Sequence, residues 1–269
     1  MTVLLPTRMV AKPWGKDSLP APFEAPDGQR IGEVWFESPA ALDALLVKYI
    51  FTSEALSVQV HPSDVQAKAV GGGAKGKAEC WLVVDAEPGA ALGIGFREPI
   101  DHAAMRAAAM DGSIEHLLAW HPVSAGDFFY IPANTVHAIG GGISLIEIQQ
   151  NSDVTYRLYD YGRPRDLHLD LGLAVASGTI YPTELRKEVP AKGAVTLAEG
   201  PVFRLDRLDG HVPDDVRHRY RSGPALVIPL DAPVTVAGET IRAGECGWAP
   251  ELGALQTAAD GRVLITQPV

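Results

Sequence analysis

Cysteine is nearly missing from this 269-residue chain: only Cys80 and Cys246 occur. Two thiols so far apart in sequence do not make a disulfide framework, and both are expected to be reduced. Basic residues are also scarce, 23 Lys and Arg against 33 Asp and Glu, for a net charge of −10. That balance excludes a general nucleic-acid or anionic-membrane binder, which needs an extended basic surface, and leaves any phosphate to be met by a few placed cations. Long apolar runs are absent, since none approaches the ~18 residues of a membrane span. The opening MTVLLPTRMVAKPWG has an apolar stretch too short for a signal peptide and soon meets proline. A cytoplasmic protein is the expectation.

No internal repeat is evident. The 27 glycines and 21 prolines are dispersed rather than concentrated, which excludes a fibrous or low-complexity chain and suits short strands joined by turns. With 46% hydrophobic residues, the chain can bury one large core, or one domain plus a smaller one.

Period-two alternation dominates the first part. LLVKYIF (45–51) and LSVQVHP (56–62) flank Thr52-Ser53-Glu54-Ala55 and predict a hairpin. In the second run Leu56, Val58 and Val60 share one face, and Ser57, Gln59 and His61 the other. That polar face must look into water or a site. Gly71-Gly72-Gly73-Ala74-Lys75-Gly76-Lys77 predicts a flexible loop over such a site, feeding a strand over 78–85. The pattern turns helical between Pro99 and Trp120, with DHAAMRAAAM, a break at Asp111-Gly112, and SIEHLLAW read as one or two helices. Strands resume at 127–131 and 144–149. Near 177–190 periodicity lapses, and VFRLDRL, ALVIPL, VTVAG and RVLITQP form a second set of short strands. The expectation is a mainly β chain of two tandem barrels, residues 1–180 with a helical segment near 99–120, and a smaller unit over 181–269.

The strongest local signal is AGDFFYIPANTVHAI, which sets Gly126, Pro132 and His137 at the spacing of the second cupin motif. Combined with Gln59-Val60-His61-Pro62 and Lys77-Ala78-Glu79, one cupin barrel, a jelly roll, can offer Gln59, His61, Glu79 and His137 to a single metal. Two imidazoles, a carboxylate and an amide oxygen suit zinc, with manganese, cobalt or iron possible. Cys80 follows Glu79 on a strand and should pack on the opposite face. His102, His116, His121, His168, His211 and His218 lie in no motif and are expected to be surface or structural residues. Trp14, Trp35 and Trp81 are expected in the core or the site wall. The 181–269 unit has no paired motif, and is expected to be a degenerate cupin-like barrel without metal.

LSVQVHP, GKAECWLVVDAEPGAALGIGF and AGDFFYIPANTVHAIGGGISLIEIQQNSDVTYRLYDYGR, with Lys12-Pro13-Trp14-Gly15 and Ile31-Gly32-Glu33-Val34-Trp35, resemble the type I mannose-6-phosphate isomerases over roughly residues 5 to 180. The resemblance implies one zinc per chain, a small sugar-phosphate substrate, and interconversion of mannose 6-phosphate and fructose 6-phosphate. It maps the zinc ligands onto Gln59, His61, Glu79 and His137, and the active-site lysine and arginine onto Lys77 and Arg157. A glutamate after the last histidine ligand maps onto Glu147, a carboxylate expected to touch the substrate or its water rather than zinc and able to shuttle the proton. Alternation places Leu145, Glu147 and Gln149 on one face of their strand, so Glu147 looks inward only if Ile146 and Ile148 pack outward. Three other readings stay open: an iron-dependent cupin oxygenase, against which the lack of a clear two-histidine first motif counts, a non-catalytic sugar-binding or regulatory cupin, and the same isomerase chemistry on another aldose phosphate.

Overall fold

Strands predominate in the computed structural model, which describes residues 3–70 and 75–269, and all the strand pairs are antiparallel. The first part builds two sheets. One has seven strands in the order Thr7–Lys16, Ile31–Phe36, Leu45–Phe51, Ile143–Gln150, Glu79–Ala86, Asp127–Ile131 and Arg186–Glu188. The other has five, Tyr156–Tyr159, Val58–Val60, His137–Ile139, Ala91–Phe96 and Leu118–Pro122. Ile50, Trp81, Val83, Phe129 and Leu145 of the first pack against Leu92, Ile94 and Ile139 of the second, which makes this the two-sheet cupin-type roll the motifs predict.

The hairpin expected across Thr52–Ala55 does not form. Leu45–Phe51 pairs with Ile31–Phe36 and Ile143–Gln150, whereas Val58–Val60 pairs with Tyr156–Tyr159 and, at Gln59, with His137. The chain changes sheets here, and a buried hydroxyl secures the corner: Thr52 Oγ1 donates to the Gly140 carbonyl at 2.7 Å and accepts from the Ile143 amide at 2.9 Å. The reason is burial. Every residue of Leu45–Phe51 is buried, so both edges and faces need partners from elsewhere in the chain.

The helical insertion is present as His102–Asp111 and Ile114–Leu117. Asp101 caps the first by accepting from the Ala104 amide at 2.8 Å, and Gly112 ends it with φ +84°, a conformation glycine adopts freely. Leu118 to Trp120, expected to be helical, is strand instead and pairs with Ala91–Phe96. One turn of helix is a weak competitor to a sheet edge that accepts a β-favouring tryptophan. No helix among the described residues is long and apolar enough to cross a membrane. The Gly71–Gly73 loop lies outside the described residues.

The remaining chain forms a five-stranded sheet, Val195–Glu199, Phe203–Asp209, Arg262–Pro268, Ala225–Pro229 and Gly247–Ala249, and a three-stranded one, Glu239–Ile241, Val234–Val236 and Leu255–Thr257. Val216, Val227, Val234 and Ile265 fill its interior. A further cluster joins the two parts, with Val47, Ile146 and Ile148 against Phe203, Leu205, Leu226 and Leu264. Arg186–Glu188 pairs back onto Asp127–Phe129, and the Leu5 amide donates to the Cys246 carbonyl at 2.9 Å.

Candidate metal centre

Sheet register sets the site in two rows. In the five-stranded sheet Ile94, His137, Gln59 and Arg157 lie side by side. Across the seven-stranded sheet Trp35, Lys48, Glu147, Trp81 and Phe129 do the same, and Glu79 sits beside Gln149.

His61, Glu79 and His137 are each 1% exposed or less, and their ligand atoms lie within 4.8 Å of one another. His61 Nε2 is 3.6 Å from Glu79 Oε2, and His137 Nε2 is 3.4 Å from Oε1. Each ring is oriented by a backbone carbonyl, since His61 Nδ1 meets Val154 O at 2.8 Å and His137 Nδ1 meets Thr135 O at 2.9 Å. A carbonyl only accepts, so the proton sits on Nδ1 and the Nε2 lone pair faces inward. Burial holds His137 down at about 4 and His61 well below its ordinary value, keeping both imidazoles neutral, as ligation requires. Glu79 stands 2.5 Å from Lys77 Nζ, yet neither of its oxygens has a well-directed hydrogen-bond partner. Burial, only partly offset by Lys77, pushes its carboxyl up. Lys77 Nζ also lies 3.2 Å from His61 Nε2, so a cationic group already sits against these converging lone pairs and the buried carboxylate, an arrangement that fits a metal cation. Among the described residues this is the only such group of three or more. Gln59 stands beside it, its amide 3.3 Å from His137 Nε2 and its Oε1 accepting from Ser57 at 3.1 Å.

Glu147 does look inward, and Ile146 and Ile148 pack on the opposite face in the cluster that joins the two parts. Its Oε1 pairs with Lys48 Nζ at 3.1 Å and lies 3.9 Å from Lys77 Nζ, while Trp81 Nε1 donates to Oε2 at 3.1 Å. Burial opposes ionisation, but Lys48 and Lys77 overcome it and hold the carboxyl at about 2. Lys77 remains charged, because Glu147 and Glu79 outweigh its burial. Cys80 faces away from the site into the core cluster, and burial raises its thiol well above the usual range. Of the tryptophans, Trp14 packs in the core, Trp81 holds Glu147, and Trp35 lies 4.5 Å beneath Lys48 Nζ.

The rows open into a cavity of about 330 Å³ lined by Gln59, Lys77, Glu147 and Arg157 together with Lys48, Arg165 and His168. The last three escaped the sequence reading. Lys48 had a visible signal, a lone cation in the middle of an otherwise apolar strand, and it is 5% exposed. Arg165 and His168 lie in a loop with no motif. His168, expected to be a bystander, lines this cavity. Arg157 is half-buried, and no carboxylate among the described residues lies within ion-pair distance of it.

Fold and site together define a cupin-type β protein with a buried His-Glu-His group able to hold a metal. No protein-family model matches the sequence. The chain is 42% identical over 149 residues to the mannose-6-phosphate isomerase of Streptococcus mutans, covering 53% of this chain and 46% of that protein. It is also 42% identical over 137 residues to mannose-6-phosphate isomerase ManA of Bacillus subtilis, covering 49% and 43%. The match thus spans about half the length of these curated relatives. By fold the similarity runs through the whole chain: the solved mannose 6-phosphate isomerase from Bacillus subtilis superposes with a TM-score of 0.77 at 20% identity, covering 98% of both chains. A putative mannosephosphate isomerase from Archaeoglobus fulgidus gives 0.74 at 18% identity, covering 99% and 97%. The chain is thus similar in sequence to mannose-6-phosphate isomerases over about half its length, and similar in fold to solved ones throughout.

Proposed function

We propose that the protein is a zinc-dependent aldose-ketose isomerase that interconverts mannose 6-phosphate and fructose 6-phosphate. The observation that carries this is the convergence of two oriented, neutral imidazoles on a buried carboxylate beside a cation-lined cavity, in a chain 42% identical over 149 residues to a mannose-6-phosphate isomerase. His61, Glu79 and His137 would hold the metal, with Gln59 as the fourth ligand. A mixed N/O set without sulfur suits zinc. Bound zinc supplies Lewis acidity for the enediolate that forms when a proton moves between C2 and C1.

The side chains divide the rest of the work. Lys77 and Arg157 place positive charge beside the substrate, Arg157 with the planar fork that grips an oxyanion. Contrary to the expectation of a proton shuttle, Lys48 and Lys77 hold the Glu147 carboxyl well below its ordinary range, which favours a charge-bearing role over that of the base. It serves by keeping Lys48 and Lys77 charged and in place. Residues 1–180 are the catalytic unit in this reading, and 181–269 a degenerate cupin-like unit that covers its outer sheet. The test is a coupled assay with mannose 6-phosphate on protein of measured metal content. Stoichiometric zinc with turnover supports the proposal. Iron with oxygen consumption, or sugar binding without turnover, contradicts it.

A further inference from the structure

One end of the cavity is built by the turn after strand Tyr156–Tyr159. The Asp160 carbonyl accepts from the Arg163 amide at 3.0 Å, and the residues between, Tyr161 and Gly162, have φ of +55° and +76°. A tyrosine in the left-handed region is uncommon and persists where surrounding contacts enforce it. Here the turn carries the chain back so that Arg165 meets Asp160. The Asp160 side chain, 2% exposed, accepts from Arg165 Nε and Nη2 at 2.6 Å each and from Arg163 Nη1 at 3.2 Å. Arg163 Nη2 reaches Glu54 at 3.0 Å, tying the turn to the corner where the chain changes sheets.

The donors left over are what matter. Arg165 commits Nε and Nη2 to Asp160, which leaves Nη1. Arg157 commits only Nε, to the Asp166 carbonyl at 3.1 Å, which leaves both terminal nitrogens. His168 Nδ1 accepts the Arg157 backbone amide at 3.2 Å, so the neutral ring carries its proton on Nε2 as a further donor. All three side chains line the same cavity. Of the carboxylates there, Glu33 and Glu147 are engaged by Lys12 and Lys48, and Asp153 also lines the cavity. Burial and the adjacent Arg165 lower the Arg157 pKa, with Asp160 and Asp166 opposing them, as expected of two guanidinium groups set close together.

We propose that Arg157, Arg165 and His168 form the subsite for the substrate's phosphate dianion, and that Asp160 is a positioning residue that fixes Arg165 there. The identity of the sugar rests on the isomerase reading, whereas the anion subsite does not. A phosphate offers several acceptors to planar forks and is held by charge-assisted bonds, which gives the negatively charged protein its few placed cations for an anionic substrate.

The test uses full-length, metal-loaded protein, with calorimetric titration of inorganic phosphate, mannose 6-phosphate and mannose beside steady-state kinetics. Arg165→Ala and Asp160→Asn should each weaken inorganic phosphate and raise KM for mannose 6-phosphate at least about tenfold, the scale of one charge-assisted bond. The loss should fall on KM more than kcat, spare mannose binding and metal content, and be partly restored in Arg165→Lys. The double variant should be no worse than Arg165→Ala, because Asp160 acts through Arg165. If Asp160→Asn does not fold, Arg165→Ala still decides, since that side chain is 26% exposed. Unchanged phosphate affinity in Arg165→Ala overturns the subsite even if the wild type isomerises. Wild-type protein that binds phosphate through Arg165 but never turns over mannose 6-phosphate overturns the isomerase reading and leaves the subsite standing.

Discussion

A carboxylate buried to the extent of Glu79, with neither oxygen well hydrogen-bonded, costs several kcal/mol unless a cation meets it. Lys77 meets one oxygen, and the two Nε2 lone pairs crowd toward the carboxylate without a proton to give. A metal relieves all of this together. Glu79→Ala and His137→Ala should therefore each lose most bound zinc, as measured by atomic absorption on the purified protein, while Cys80→Ser, altering a thiol on the far face, retains it. Equal loss in all three would mean the strand faces are misassigned. Glu147 behaves differently because its partners are Lys48 and Trp81. Glu147→Gln keeps the shape and the indole bond but removes the charge that holds the lysines. It should retain zinc while turnover falls about 10²-fold, the scale of a lost electrostatic contribution. Zinc content and rate measured on one preparation check this: near-normal turnover would remove Glu147 from the mechanism, and lost zinc would make it a ligand.

Among the elements, strand Ile143–Gln150 has two jobs. One face presents Glu147 and Gln149 to Lys48, and the other drives Ile146 and Ile148 into the core shared with the C-terminal part. Ile148→Ala should cost about 2–5 kcal/mol, the usual range for such a cavity, seen as a lower denaturation midpoint with an unchanged slope. A change within ±0.5 kcal/mol, typical of surface sites, would show that the strand is not packed on both sides. The two faces of this strand were legible in its alternation, as were Gln59 and His61 two residues apart and His137 in its motif. The partners of strands were not legible. Leu45–Phe51 and Val58–Val60 look like a hairpin because they are adjacent, yet each pairs with strands about 80 to 100 residues away, and alternation fixes faces without fixing neighbours. Leu118–Trp120 was misread because three apolar or aromatic positions fit either period. Lys48, Arg165 and His168 join the site only through that long-range pairing and a turn with two positive φ values, neither of which leaves a sequence motif.

At the scale of the whole molecule, a chain with ten excess negative charges gathers positive side chains into one cavity. Lys48 and Lys77 line it beside the metal-binding group, as do Arg157 on strand Tyr156–Tyr159 and Arg165 just past the turn that follows. An anionic substrate is steered by such local focusing despite the overall charge. The C-terminal part contributes packing against the outer face of the seven-stranded sheet and no metal-binding group among the described residues. The central claim is therefore that one metal, held by His61, Glu79 and His137, serves one sugar-phosphate site. The most direct measurement is turnover of mannose 6-phosphate in a coupled assay, on protein stripped with chelator and then titrated with zinc. The account predicts that activity is lost on stripping and returns in proportion to zinc up to one equivalent per chain. Full activity in rigorously metal-free protein, or no turnover at one bound equivalent, would contradict it.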